Sequence, residues 1–174
     1  DVTKAEDRKR MVEAVIEQYG RLDILVNNAA LQPNKFIDEY SEELFRQIWE
    51  INIGGYVHMV QECLPYLKKS PLGRIINMSS VHGKRPTCFD VGYAMTKGAI
   101  RMFTRELQLE MSQYNITVNT IDLGACKIEF KTGNYPMHVK RPVETNIPGY
   151  HKYPYQVDPV EVGHLVAYLI SEEA

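Results

Sequence analysis

Hydrophobic positions in this chain follow two alternating rhythms. Met11, Val12, Val15, Ile16 and Tyr19 recur at helical spacing between Thr3-Lys-Ala-Glu6, which reads as a capping box, and a stop at Gly20. The rhythm then shortens to the apolar run Leu22-Asp-Ile-Leu-Val26, ending at Asn27-Asn28. Similar runs follow at Arg74-Ile-Ile-Asn-Met78 before Ser79-Ser80, and at Ile116-Thr-Val-Asn-Thr-Ile121 before Leu123-Gly124. Such runs suit strands buried on both faces of a parallel sheet. Between them, Glu42 to Lys69 carries Leu44, Ile48, Ile51, Gly55, Met59 and Cys63 on one stripe, and Tyr93 to Tyr114 carries Ile100, Phe103, Leu107 and Met111. Helices alternating with strands predict an α/β fold with a doubly wound parallel sheet. Ligands of such sheets sit beyond the carboxyl ends of the strands, which here are Asn27, Ser80 and Gly124.

Residues 125–157 break the rhythm. Tyr135, Tyr150, Tyr153 and Tyr155 are interspersed with Pro136, Pro142, Pro148 and Pro154, as expected of a functional loop that lines a substrate site. Beyond it, Asp158-Pro-Val-Glu161 supplies a cap, an N1 proline and an N3 acid for a last helix carrying Val162, Leu165, Val166, Leu169 and Ile170.

Composition narrows the function. With 174 residues, one domain (1–174) is expected. A formal charge of −2 without a basic cluster argues against nucleic acid. No apolar run approaches membrane length, so a cytoplasmic protein is expected. Cys63, Cys88 and Cys126 show neither disulfide nor zinc spacing, and no metal site is expected.

The chemistry concentrates at Tyr93 and Lys97, four residues apart near the start of a helix and therefore neighbours on one face. A phenol near its ordinary pKa of about 10 is a poor base at neutral pH, and an adjacent ammonium favours its ionised form. Around this pair stand Asn27-Asn-Ala-Ala30 after the first strand, Asn52 within Ile51-Asn-Ile-Gly-Gly55, and Asn77-Met-Ser-Ser80 thirteen residues before Tyr93. Tyr93-Ala-Met-Thr-Lys97 itself and Val118-Asn119 before Leu123-Gly124 complete the series. Five ordered motifs over nearly the whole chain resemble the short-chain dehydrogenase/reductase family.

The resemblance implies a Rossmann-like oxidoreductase that interconverts a secondary alcohol and a ketone with NAD or NADP. Tyr93 would exchange the proton at the reacting oxygen, and Lys97 would lower its pKa and bind the nicotinamide ribose. Ser80 would polarise the carbonyl, and Asn52 would hold a water linking Lys97 to solvent. Asp1 and Val2 would meet the adenine, Asn27 and Ala29 the adenosine ribose, and Gly124 and Cys126 the nicotinamide; His82 would reach the substrate. Leu123-Gly124 replaces the family's usual Pro-Gly, Ile128 a usual Thr, and Ala30 a usual Gly. The polar loop suggests a sugar, polyol or other small polar substrate, against a 3-oxoacyl or hydroxysteroid reductase, and against a catalytically silent nucleotide-binding sensor or scaffold.

The glycine-rich phosphate turn of such folds is missing, since no GxxxGxG or GxGxxG occurs. The expectation is an incomplete fold whose first strands and last strand belong to a longer parent, leaving an open hydrophobic edge on this unit. Glu42 to Lys69 and Tyr93 to Tyr114 are expected to pair across a two-fold axis in a homodimer or homotetramer. Asn77 and Asn119 are expected to tie neighbouring backbone together, and Trp49 to pack at a helix interface.

Overall fold

The computed structural model describes residues 1–86, 90–127 and 156–174. Helix α1 (Ala5–Tyr19) leads into strand β1 (Ile24–Asn27), and the helices α2 (Glu42–Trp49) and α3 (Gly55–Leu67) lead into β2 (Gly73–Ser80). Helix α4 (Val91–Met111) then precedes β3 (Ile116–Leu123), and α5 is Pro159–Leu169. The three strands form a parallel sheet in the order β1-β2-β3. All eight residues of β2 are buried, as befits its central place.

Strand alternation sends Leu25, Ile75, Ile116 and Val118 to one face, where they pack with Val12, Met59, Cys63, Leu67, Leu107 and Met111 from α1, α3 and α4. Full burial of such a side chain contributes roughly 1.5–3 kcal/mol. Ile76, Met78 and Ile121 face the other way, under Val162, Val166 and Leu169 of α5. Among the described residues that second cover does not extend over β1: Ile24 and Val26 are 42% and 41% exposed, the open apolar surface expected of an incomplete fold.

Helix boundaries follow local chemistry, with two departures from the sequence reading. Gly20 closes α1 in the left-handed region, φ 71°, its N–H donating to the Ile16 carbonyl. The N-cap is Lys4, however, and Thr3 instead donates its hydroxyl to Asp1 Oδ1 at 2.9 Å, so the expected capping box does not form. Asp158 does cap α5, accepting the Val160 N–H at 3.0 Å ahead of the N1 proline.

The second departure is in Glu42 to Lys69, which is not one helix. A π-helical turn, Glu50–Gly54, separates α2 from α3. Such a turn inserts a residue into the ladder and resets which face looks at the core. Ile48 before it and Gly55, Met59 and Cys63 after it are all buried. Gly55 has no room for a side chain, since a Cβ there would lie 2.9 Å from Val2 Cγ2. Trp49, expected at a helix interface, is 42% exposed and stacks on Phe45 with ring centroids 6.4 Å apart.

Candidate active site

The carboxyl ends of β2 and β3 meet the first two turns of α4, and the buried groups there are polar. Asn52, Asn77, Ser79, Ser80, Thr96 and Lys97 all lie below 5% exposure. In a hydrocarbon interior each would cost several kcal/mol without a partner, so hydrogen bonding decides the geometry.

Ser79 donates its hydroxyl to the Lys97 carbonyl at 2.9 Å, pinning β2 to α4. The turn Val81–Gly83 crosses α4 so closely that a Cβ at Gly83 would lie 2.7 Å from the Lys97 carbonyl oxygen. These contacts fix Lys97 beside Tyr93. The Lys97 ammonium donates to the Met78 carbonyl at 2.7 Å and lies 5.4 Å from the Tyr93 ring centroid and 5.7 Å from that of Tyr56. Tyr56 donates its own hydroxyl to the same Met78 carbonyl at 3.1 Å.

The Ser80 hydroxyl donates to the Leu123 carbonyl at 3.3 Å and accepts the His82 N–H at 3.2 Å, and it stands near enough to the Tyr93 phenol to favour its ionised form. The structure therefore brings Ser80, Tyr93 and Lys97 together at the carboxyl edge. Burial is the largest influence on both titrating groups. It pushes Tyr93 up to about 12, against the opposing influence of Ser80 and assisted by the charges of Asp90 and Cys126. It brings Lys97 down to about 8. Each is displaced toward its neutral form, so the expected lowering of the phenol by Lys97 is overridden here by desolvation. His82 is also displaced toward neutrality by burial.

Asn52 does not contact Lys97 directly. Its Oδ1 accepts the Leu31 N–H at 2.7 Å, and its amide donates to the Leu31 carbonyl and the Thr96 hydroxyl, each at 3.0 Å. Thr96 donates its hydroxyl to the Tyr93 carbonyl at 2.8 Å. The amide sits inside the π-turn and joins the segment after β1 to the turn of α4 that carries Tyr93 and Lys97.

The remaining sequence candidates fall around this centre. Asn27 is 5% exposed and donates its amide to Asn77 Oδ1 at 2.9 Å. Asn77 in turn donates to Thr104 at 3.0 Å, so its amide joins side chains of β1 and α4 rather than tying backbone as expected. Ala29 is exposed just past β1. Asp1 accepts the Thr3 N–H at 3.0 Å, and Val2 packs on Gly55. Gly124 follows β3, where a Cβ would meet nothing within 4 Å. Cys126 is half-buried and forms a bridge with Val157, so the two ends of the Tyr- and Pro-rich segment meet. Ile128 and the tyrosines of that segment, like Cys88, lie outside the described residues. Among the described residues no group of three or more His, Cys, Asp or Glu could hold a metal, and no helix is long and apolar enough to cross a membrane.

Sequence reasoning missed Tyr56, Ser79, Thr96 and Asp90. Tyr56 lies beside the apolar stripe of the second helix, and nothing in a pattern marks its hydroxyl as a partner of the carbonyl that holds Lys97.

The family described as short chain dehydrogenase has a model that matches residues 1–137. An L-fucose dehydrogenase of Bos taurus is 41% identical over 125 residues, covering 71% of this chain and 46% of that protein. An uncharacterised oxidoreductase of Staphylococcus epidermidis is 37% identical over 124 residues, covering 71% and 54%. A solved short-chain dehydrogenase from Streptomyces avermitilis superposes with a TM-score of 0.69 at 28% identity, over 73% of this chain and 47% of that one. The chain thus spans about half the length of these relatives.

Proposed function

We propose, because this chain belongs to the short-chain dehydrogenase family, that it carries the catalytic centre of an oxidoreductase that interconverts a secondary alcohol and a ketone. One observation carries the reading: the Tyr93 ring lies 5.4 Å from the buried Lys97 ammonium, with Ser80 near the phenol, at the carboxyl edge of a parallel sheet.

Tyr93 is protonated at neutral pH, the form that gives a proton to a carbonyl oxygen during reduction; in the reverse direction its phenolate takes the proton of the alcohol. Ser80 donates to the same oxygen and polarises the carbonyl. Lys97, while charged, favours the phenolate over the phenol, and Asn52 and Thr96 hold the helical turn on which both residues ride. When bound, NAD or NADP supplies or accepts the hydride. The residues present fit such a cofactor. Gly124 borders open space past the end of β3, Ala29 is exposed past the end of β1, and Lys97 is a buried donor. Tyr93, Lys97, Gly124, Cys126, Asn27 with Ala29, and Asp1 with Val2 are the groups assigned to hold it.

The substrate class is a sugar, polyol or other small polar alcohol, with His82 assigned to its recognition. The L-fucose dehydrogenases of Bos taurus and Oryctolagus cuniculus, 41% and 37% identical, support that class. A homo-oligomer in which α2 and α4 meet a second copy is supported by the exposure of Phe45, Trp49, Met95, Met102 and Leu109 on these two helices.

The test is a screen of the full-length protein for oxidation of sugars, polyols and hydroxy acids with NAD and with NADP, run beside Tyr93→Phe. Turnover on a polar alcohol is expected, lowered on the order of 10²–10⁴-fold in the variant with its melting temperature unchanged. A variant as fast as wild type, with chemistry rate-limiting, overturns the assignment.

A further inference from the structure

Asp90 immediately precedes α4 and has the chemistry of a helix cap; its carboxylate lies near enough to the Tyr93 N–H to feel it, but closes no cap of ordinary geometry. It is 1% exposed and faces a distant segment instead. Oδ2 accepts the Asn34 N–H at 3.1 Å, and Oδ1 accepts the Tyr40 hydroxyl. Asn34 is the one non-glycine residue at positive φ, 53°, among the described residues, so its backbone needs an anchor. The Tyr40 ring reaches Asp90 by lying against Gly92, where a Cβ would come within 2.7 Å of Tyr40 Cε1. Tyr40 also immediately precedes Ser41, whose hydroxyl caps α2 by accepting the Leu44 N–H.

We infer that Asp90 is a positioning residue: together with Tyr40 it clamps the first turn of α4, and so the Tyr93 phenol, to the segment that leads from β1 into α2. Neither partner touches the reacting atoms. The clamp fixes the N-terminal end of the turn that Ser79 and Thr96 hold from its other end. The carboxylate also stands close enough to oppose formation of the Tyr93 phenolate. The other groups acting on that phenol are Ser80, Cys126, Lys97 and Tyr56.

This inference rests on the proposed role of Tyr93, and the experiment separates the two. Asp90→Asn, Tyr40→Phe and Tyr93→Phe are made in the full-length protein, and folded sites are counted by cofactor titration. Misplacing the phenol by a fraction of an ångström predicts a fall in kcat per folded site on the order of ten- to a hundredfold in Asp90→Asn and Tyr40→Phe, with KM nearly unchanged. Asp90→Asn also moves the alkaline limb of the oxidation profile to lower pH, because the charge opposing the phenolate is gone. Tyr40→Phe, which keeps that charge, leaves the limb in place.

If both variants lose only folded sites, while kcat per site and the pH limb match wild type, the pair is merely structural and the inference is overturned. If Asp90→Asn does not fold, Tyr40→Phe alone decides, since wild-type kcat per site in that variant also overturns it. Should Tyr93→Phe itself turn over normally, the reading of the site fails first.

Discussion

The two halves of α4 lie against the same sheet and are buried for opposite reasons. In the later turns, Ile100, Leu107 and Met111 are buried as hydrocarbon, and Thr104 is satisfied by the Ile100 carbonyl and the Asn77 amide. In the first turns the buried groups are Thr96 and Lys97, with Asp90 just ahead. There burial works against the side chains, lowering the lysine and raising the phenol beside it. The later half supplies stability, which holds the earlier half in an arrangement that solvation alone would oppose.

Three changes would break or sharpen this contrast. The largest effect is expected from Lys97→Met, which should lower turnover by at least about 10²-fold. Its thermal melt should stay level or rise, because a buried ammonium gives way to a side chain of similar volume. A marked drop in melting temperature would mean that the first half also holds the fold together.

Leu107→Ala is the converse. It should cost about 2–5 kcal/mol in denaturant unfolding, with kcat per folded site close to wild type. Equal losses of stability and kcat would erase the distinction between the halves.

The mildest effect is that of pH. Below about 8 Lys97 is charged and Tyr93 protonated, so carbonyl reduction should be level there. As pH rises past the lysine's value, kcat/KM for reduction should fall by at most about tenfold per pH unit, while alcohol oxidation gains from the growing share of phenolate. A reduction profile that stays flat to pH 10 would show that the Lys97 charge is not required.

How much of this is legible in the sequence depends on how far apart the interacting residues lie. The strands and the later half of α4 follow from short apolar runs and from the spacing of Ile100, Leu107 and Met111, because hydrocarbon burial leaves a periodic trace. The motifs around Ser80, Tyr93 and Lys97 are readable as a set, and the structure brings those three residues together. The π-turn at Glu50–Gly54 leaves no such trace, since the apolar spacing through it passes for one helix. The exposure of Ile24 and Val26 depends on what covers β1, which a run of five residues cannot reveal. The Tyr40–Asp90 contact joins positions 50 residues apart, and neither residue looks unusual where it stands.

The parallel register has a consequence for how the chain assembles in time. Ile24 pairs with Arg74 and Gly73 with Ile116, separations of 50 and 43 residues, so no strand can pair with a near neighbour in sequence. During synthesis at 5–20 residues per second, β1 waits roughly 3–10 s for its partner to emerge. The helices between them, with their local hydrogen bonds, can form in that interval. The side of β1 that later receives β2 is open during that interval, and it is this side that a chaperone would protect.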